Sequence, residues 1–437
     1  MELREELDRL TDPDGNLLRV ERLAHLVDGT LAVVLSGIGE VGTRLYRIAR
    51  GTADLLPVPG ITEIDALWPA GDRMLIERSG CLCLVDLAGK QSEVTRLPEG
   101  ASSVSACWLE DGLHAGALVT MADDHDESQI TVYPKVPSAV TLMSYAPDEG
   151  WVERAQVAAG SSGLSMSGNG LRLAWHEPVN VVPEEAMRGE FRGYDVAREE
   201  LVRFTEGAGK ARQILVHPGG DGVAYIANFS QSRPITIHTD LWWQTWDGSA
   251  RVNLTRGGRS IDDVGWCPDG ESLWVSTLDG VYRSTEIIGL DGQPRQGIWP
   301  EALGASSSQV AWFDGLPSFE RESITDYPRI QVGPDRIAIP QPDAFDDVRC
   351  SVHRWTASDG LAMQGVLWDL DGMAHDAPLL VRAHGGPAGT VEAVRSEGVR
   401  FRHLLRAGYR LFIPAFRGSL GFGDDFLGAN IGCQGVL

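Results

Sequence analysis

Residues 263–293 read DVGWCPDGESLWVSTLDGVYRSTEIIGLDGQ, and this stretch decides the fold. Pro268 presets φ for the first corner of a turn and Gly270 relaxes its exit. Leu273 and Val275, then Val281, Arg283, Thr285 and Ile287, give two runs of period 2, the alternation of a strand with one buried face. Further turns at Asp279 and Gly280 and at Asp291 and Gly292 separate strands of five to eight residues. The stretch is a β-meander.

The same signal recurs outward from there. VDG ending at Gly29, PAG at Gly71, EDG at Gly112, GNG at Gly170, GDG at Gly222, PDG at Gly270 and, more weakly, FDG at Gly315 each precede an apolar or alternating run. Their successive spacings are 42, 41, 58, 52, 48 and 45 residues, close to the roughly 40–50 residues of a four-stranded propeller blade. Between Ala24 and Phe319 no apolar period of 3.6 residues is sustained over three turns, which excludes strands alternating with helices there. The expectation is an all-β propeller of seven blades over residues 1–330.

The 437 residues carry 38 Lys plus Arg against 61 Asp plus Glu, a net charge of −23. Such a field repels phosphate backbones and anionic lipid headgroups, so neither nucleic acid nor a membrane is an expected partner. From Ser351 onward eight Arg balance eight acidic residues, which puts a composition boundary near Cys350. The opening MELREELDRLTDPDG lacks the apolar stretch of an export signal, and no apolar run approaches the roughly 20 residues that span a bilayer. Six cysteines (Cys81, Cys83, Cys107, Cys267, Cys350, Cys433) are scattered without C-x-x-C spacing. They read as small core hydrophobes in a reducing, cytoplasmic setting, with no disulfide framework and no zinc site.

Beyond the repeat the pattern changes. Residues 331–349, with Pro334, Pro340 and Pro342, read as an extended linker. HRWTASDGLAMQGVLWDL (353–370) is a hairpin about Asp359 and Gly360, and APLLVRAHGGPAG (377–389) is a short apolar strand entering a glycine-rich turn. Phe401, Leu404 and Leu405 share a helical face that ends at Gly408. RLFIPAF (410–416) is a second buried strand, and RGSLGFGDDFLGANIG (417–432) follows as a loop. Strand, turn, helix, strand is an α/β unit, so residues 350–437 read as the start of a second domain.

His384, Gly385, Gly386 and Pro387 close the first of these strands. In an α/β-hydrolase a turn of the HGGG type supplies a backbone N–H to the oxyanion hole, where a Cβ would block the substrate carbonyl. An ordinary tight turn is the plainer alternative. A propeller followed by AHGGP and FRGSLGFGDDF resembles the prolyl oligopeptidase family of serine peptidases, most closely its acylaminoacyl-peptidase and dipeptidyl-aminopeptidase branch. The propeller half resembles it in repeat pattern only, residues 378–426 in motif and order. The resemblance implies a seven-bladed propeller followed by the incomplete start of an α/β-hydrolase peptidase domain. It implies that Gly386 donates the oxyanion N–H, that His384, Gly385 and Pro387 shape the loop, and that Arg417, Gly418 and Ser419 line the cleft between domains. It further implies a peptide substrate, a propeller that restricts access to short peptides, and neither cofactor nor metal.

The sequence departs from that family at the nucleophile. Such enzymes carry a Ser on a G-x-S-x-G elbow, then Asp and His in chain order, and no G-x-S-x-G occurs in the 437 residues. Ser419 is preceded two positions earlier by Arg417, and 50 residues follow Pro387. The chain reads as the N-terminal portion of a serine peptidase acting on short or N-acylated peptides, a fragment without a triad, inactive alone and open to association with a C-terminal catalytic segment. Two other readings stay open: a propeller interaction module with a non-catalytic hydrolase remnant, and an esterase or lactonase. The remaining chemistry-bearing groups have plainer readings. Asp123, Asp124, His125 and Asp126 could take a divalent cation but read as a solvated hairpin tip. Glu184 and Glu185 match no amine-holding motif, His217 and His238 read as structural, and Trp108, Trp175 and Trp274 read as strand packing.

Overall fold

Each of the seven glycine turns lies between the first and second strands of a four-stranded antiparallel sheet. The structure is a computed structural model that describes residues 18–37, 42–52, 54–120, 139–179, 188–207, 209–229, 238–256, 260–295, 310–332, 335–338, 347–386 and 388–431. Pro387, Cys433, Asp123, Asp124, His125, Asp126, Glu184 and Glu185 lie outside the described residues. Gly29, Gly71, Gly112, Gly170, Gly270 and Gly315 adopt φ between +65° and +126°, a backbone that glycine enters without a Cβ clash. The GDG turn differs. It closes earlier, by a Gly220 N–H to His217 carbonyl bond of 2.8 Å, so Gly220 (φ +85°) is its left-handed residue and Gly222 already opens the next strand.

The seven sheets occupy residues 18–62, 66–96, 101–157, 162–203, 210–253, 260–295 and 310–338, each a meander of consecutive strands. Apolar clusters join each sheet to the next: first to second about Met74, then Leu75, Trp175, Tyr225, Leu273 and Trp274 in turn. A seventh cluster, about Val33 and Ile330, joins the last sheet back to the first. At that seam Val20 N–H donates to the Glu320 carboxylate, and His25 Nε2 lies 2.8 Å from Ser318 Oγ. The sheets therefore form a closed ring.

This closure corrects the expected period of 2. The strand Ser272–Asp279 is buried at every position up to its last, because Leu273 and Val275 face the fifth sheet while Trp274 faces the seventh. Second strands sandwiched between neighbours on both faces have no solvent side, so they read as continuous apolar runs. The outermost strands, such as Gln91–Arg96, are the exposed ones.

The eighth sheet is mixed. Its order is Val348–Thr356, Ala362–Leu370, Arg410–Ala415, Leu379–Val381, and the last pair is parallel. The short helices Arg395–Val399 and Arg402–Arg406 make the crossover that a parallel pair needs. Leu411, Ile413 and Ala415 alternate into a core with Trp368, whose indole N–H donates to the Val394 carbonyl at 2.9 Å. Gly398 is required there, since a Cβ would collide with the Trp368 ring. Three expectations change. The segment expected to be linker is partly paired, with Ile337 of the strand Asp335–Ala338 opposite Ile330. The loop expected over 417–432 contains the helix Asp424–Gly428. The strand Leu379–Val381, expected to be buried, lies at the sheet edge with Leu379 51% and Val381 63% exposed. Among the described residues no helix is long and apolar enough to cross a membrane, and Cys81, Cys83, Cys107, Cys267 and Cys350 are free.

Ring and mixed sheet meet at the hairpin tip after Ser272–Asp279. Val281, read from sequence as a strand residue, sits in the turn and is fully buried in the core of the mixed sheet, a burial that stabilises by about 1.5–3 kcal/mol. Gly280 N–H donates to the Gly421 carbonyl at 2.8 Å, and Ala393 N–H to the Val281 carbonyl at 2.7 Å.

Candidate functional site

The strand Leu379–Val381 releases the chain into residues 382–389. Gly386 has φ +136°, and a Cβ there would lie 2.8 Å from the amide nitrogens of Ala388 and Gly389. The backbone itself therefore demands glycine, whatever the loop binds. Gly385 has no such constraint, and a Cβ there would meet nothing within 4 Å. No described residue accepts a hydrogen bond from either amide, and both glycines are exposed.

The loop after Arg410–Ala415 fastens this turn from behind. The His384 ring stacks on Phe416, with centroids 4.3 Å apart and 19° between planes. Ser419 is fully buried; its hydroxyl lies 2.6 Å from the Phe416 carbonyl and 2.7 Å from His384 Nε2, while the other ring nitrogen, Nδ1, faces the Gly385 carbonyl at 2.9 Å. With its proton committed and no solvent contact, this hydroxyl is a fastener. Leu420 N–H donates to the Gly389 carbonyl at 2.8 Å. Gly418 (φ +97°) leaves room for the Asn430 side chain, and Arg417 pairs with Asp359 on the hairpin of the mixed sheet. Arg417, Gly418 and Ser419 thus hold the loop in place, and none of them lines the cavity beside it.

That cavity, of about 440 Å³, lies where the sixth and seventh sheets face the mixed sheet, and His384 is part of its wall. Its electrostatic centre is Arg283, whose guanidinium meets Glu392 at 3.1 and 2.5 Å and also pairs with Asp262. Burial opposes that charge, but the two carboxylates outweigh it and hold the guanidinium well above the ordinary arginine range. Glu322, on the same wall, accepts the Ser396 N–H at 2.7 Å. Burial pushes its carboxyl up to about 8, with Glu320 and Glu392 adding to the rise and Ser396 opposing it, so Glu322 keeps its proton at neutral pH. A second bridge from ring to mixed sheet joins buried His238 to Asp424, through the backbone N–H at 2.9 Å and Nδ1 at 2.5 Å.

No family model matches the sequence, and no curated protein matches it either. Solved structures do match in shape. The acylaminoacyl peptidase of Pyrococcus horikoshii superposes with a TM-score of 0.72 at 14% identity, over 94% of this chain and 66% of that one. An acylaminoacyl peptidase in complex with Z-Gly-Gly-Phe-chloromethyl ketone gives 0.71 at 12% identity, over 94% and 67%. A structure from work on two prolyl endopeptidases gives 0.66 at 14% identity, over 98% and 67%. The fold is that of the prolyl oligopeptidase family. The chain spans about two thirds of the length of each of these proteins, and at such identities the likeness is one of fold.

Within this prolyl-oligopeptidase fold, the HGG turn and the RGS loop come together as one clasped unit. His217 is structural: Nδ1 accepts the Gly219 N–H at 3.1 Å and Nε2 donates to the Gly270 carbonyl at 2.9 Å. His238, expected to be structural within its strand run, joins the two parts of the molecule. Trp175 and Trp274 are buried between sheets, and Trp108 is half-buried against the second. Sequence reading missed Arg283, Glu322 and Glu392. Arg283 and Glu392 are 109 residues apart, and nothing local to either marks the other as its partner.

Proposed function

We propose that the chain is the propeller and the opening segment of the hydrolase domain of a serine peptidase of prolyl oligopeptidase type. In this reading the seven antiparallel sheets are seven blades, residues 350–437 begin the α/β-hydrolase domain, and short or N-acylated peptides enter the cavity where the two meet. The observation that carries it is the turn at His384, Gly385 and Gly386. It follows a parallel strand, runs beside the junction cavity and leaves two glycine amides unengaged by the described residues. Acyl transfer needs such donors at a developing oxyanion, and Gly386 is the donor assigned here. The fold likeness to peptidases supports the same reading.

Hydrolysis further needs a nucleophile and a base, and these 437 residues contain no G-x-S-x-G. The chain is therefore inactive alone in this reading. The triad comes from a segment that pairs with the open edge at Leu379–Val381. The free cysteines fit a cytoplasmic setting. The test is to read the frame beyond codon 437 for G-x-S-x-G, express that longer product, and treat both proteins with a fluorophosphonate and with acyl-peptide nitroanilides. The longer product is expected to be labelled at the motif serine and to cleave the peptides, while the 437-residue chain does neither. Labelling of the 437-residue chain at any serine overturns the assignment. A longer product that stays unlabelled favours a binding module, and one that cleaves only simple esters favours an esterase.

A further inference from the structure

We propose that the junction cavity holds its ligand by a carboxylate, with the Arg382 guanidinium as anchor; this rests on the peptide-cleft reading above. The argument is one of hydrogen-bonding capacity already used and still open. The cavity wall is rich in acidic side chains, yet each is engaged. Asp262 and Glu392 are held by Arg283, and Glu397 pairs with Arg400 at 3.0 Å. Glu320 receives the Val20 N–H, and Glu322 accepts from Ser396 while retaining its proton. Every carboxyl group of this wall therefore already has a donor or a proton of its own.

Donors are what remain open. Arg382 lines the cavity with its guanidinium 5.0 Å above the Phe401 ring, and no carboxylate among the described residues lies within ion-pair distance of it. A planar, charged fork that no described carboxylate engages matches the two oxygens of a carboxylate. Phe401 beneath the guanidinium holds it in place by cation–π attraction. The carboxylate can be the C-terminus of a short peptide or an Asp or Glu side chain within one.

The test is calorimetric titration of the 437-residue chain with three peptides: acetyl-Ala-Ala-Ala as the free acid, the same peptide as its C-terminal amide, and acetyl-Ala-Glu-Ala-amide. At least one carboxylate-bearing peptide is expected to bind about tenfold or more tighter than the neutral amide, the usual margin of a charge-assisted hydrogen bond. Which of the two does so tells whether the source is the chain terminus or the side chain. Arg382→Gln is expected to bring that ratio to about one, Arg382→Lys to retain part of it, and both to keep the native circular dichroism of an exposed substitution. If the peptides bind but neither carboxylate-bearing one binds tighter than the neutral amide, the carboxylate anchor is wrong and the peptide cleft stands. If none of the peptides binds, the cleft reading and the anchor fall together.

Discussion

Replacing Arg283 by Met tests whether ring and mixed sheet are held together by the charge cluster at their junction. The methionine keeps the aliphatic length of arginine but strands Asp262 and Glu392 in a wall that already carries Glu320 and Glu322. Removing one partner from a buried ionic cluster destabilises by about 3–5 kcal/mol. Here the side chains of Glu392 and Asp262 keep 20% and 32% of their surface, so water recovers part of their solvation and the lower end, about 3 kcal/mol, applies. The loss is local to the junction. The assay is native-state hydrogen exchange, with the Ala393 and Gly280 amides as reporters because each bonds across the junction, and Leu97 N–H, bonded to Gly80 in the second sheet, as control. Three kcal/mol corresponds to exchange about 100-fold faster at the reporters, with Leu97 unchanged. Adding Glu392→Gln to the Arg283→Met background removes one stranded charge and restores roughly half of the protection. Reporter rates within about threefold of the unmodified chain, equal acceleration at Leu97, or no recovery with Glu392→Gln would each refute the reasoning.

Glu322 carries the clearest pH signature. Its carboxyl titrates near 8 in the folded chain against an ordinary 4.5, so the native state holds a proton that the unfolded chain has released. Stability therefore falls as pH rises from about 4.5 to 8, by up to about 1.4 kcal/mol per pH unit, and levels off above. Melting temperatures of the unmodified chain and Glu322→Gln are expected to diverge steadily over that range; parallel curves would rule the carboxyl out. Gly386→Ala is expected to destabilise by about 1–3 kcal/mol through backbone strain, while Gly385→Ala, with open space for its Cβ, stays within about 0.5 kcal/mol. Urea midpoints separate the two, and equal losses would contradict the geometry. Ser419→Ala removes the side-chain link between the Phe416 carbonyl and the His384 ring while the Ser419 N–H still serves that carbonyl at 2.9 Å, for a loss of about 0.5–1.5 kcal/mol. A thermal melt and the His384 imidazole resonance both move if the hydroxyl is the fastener described; neither moves if it is not.

The ring was legible in the sequence because its punctuation is local. A glycine turn between two strands is visible in three residues; all seven such signals fall at the same point of successive sheets, and in six of them the glycine read from the sequence is itself the one at positive φ. What the sequence misplaced came from tertiary closure. Alternation was expected at Leu273 and Val275, but the neighbouring sheet covers Trp274 as well, and a strand covered on both faces loses its period. The HGG turn was legible for the same reason as the glycine turns of the seven sheets, whereas the inward rotation of Ser419 was not. Its hydroxyl lies beside a glycine-rich loop in sequence, yet it points into the protein toward His384, 35 residues away. The junction charges were beyond reach altogether: His238 and Asp424 are 186 residues apart, and only the folded ring decides that they meet.

The seam between the seventh sheet and the first differs in kind from the other six joints. Elsewhere neighbouring sheets are also consecutive in the chain, so a short connection brings them together as soon as both exist. At the seam the meeting residues stand about 300 positions apart. Closing a loop of that length carries an entropy of about 5 kcal/mol. Each sheet is built from consecutive strands alone, so no backbone ladder runs across the joint to offset it; side chains such as Val33, Ile330, His25 and Ser318 do that work. The ring is therefore expected to assemble as a growing arc, neighbour upon neighbour, with the seam shutting last. What looks rotationally symmetric in space is asymmetric along the chain, and the seam is the joint that no short connection reinforces.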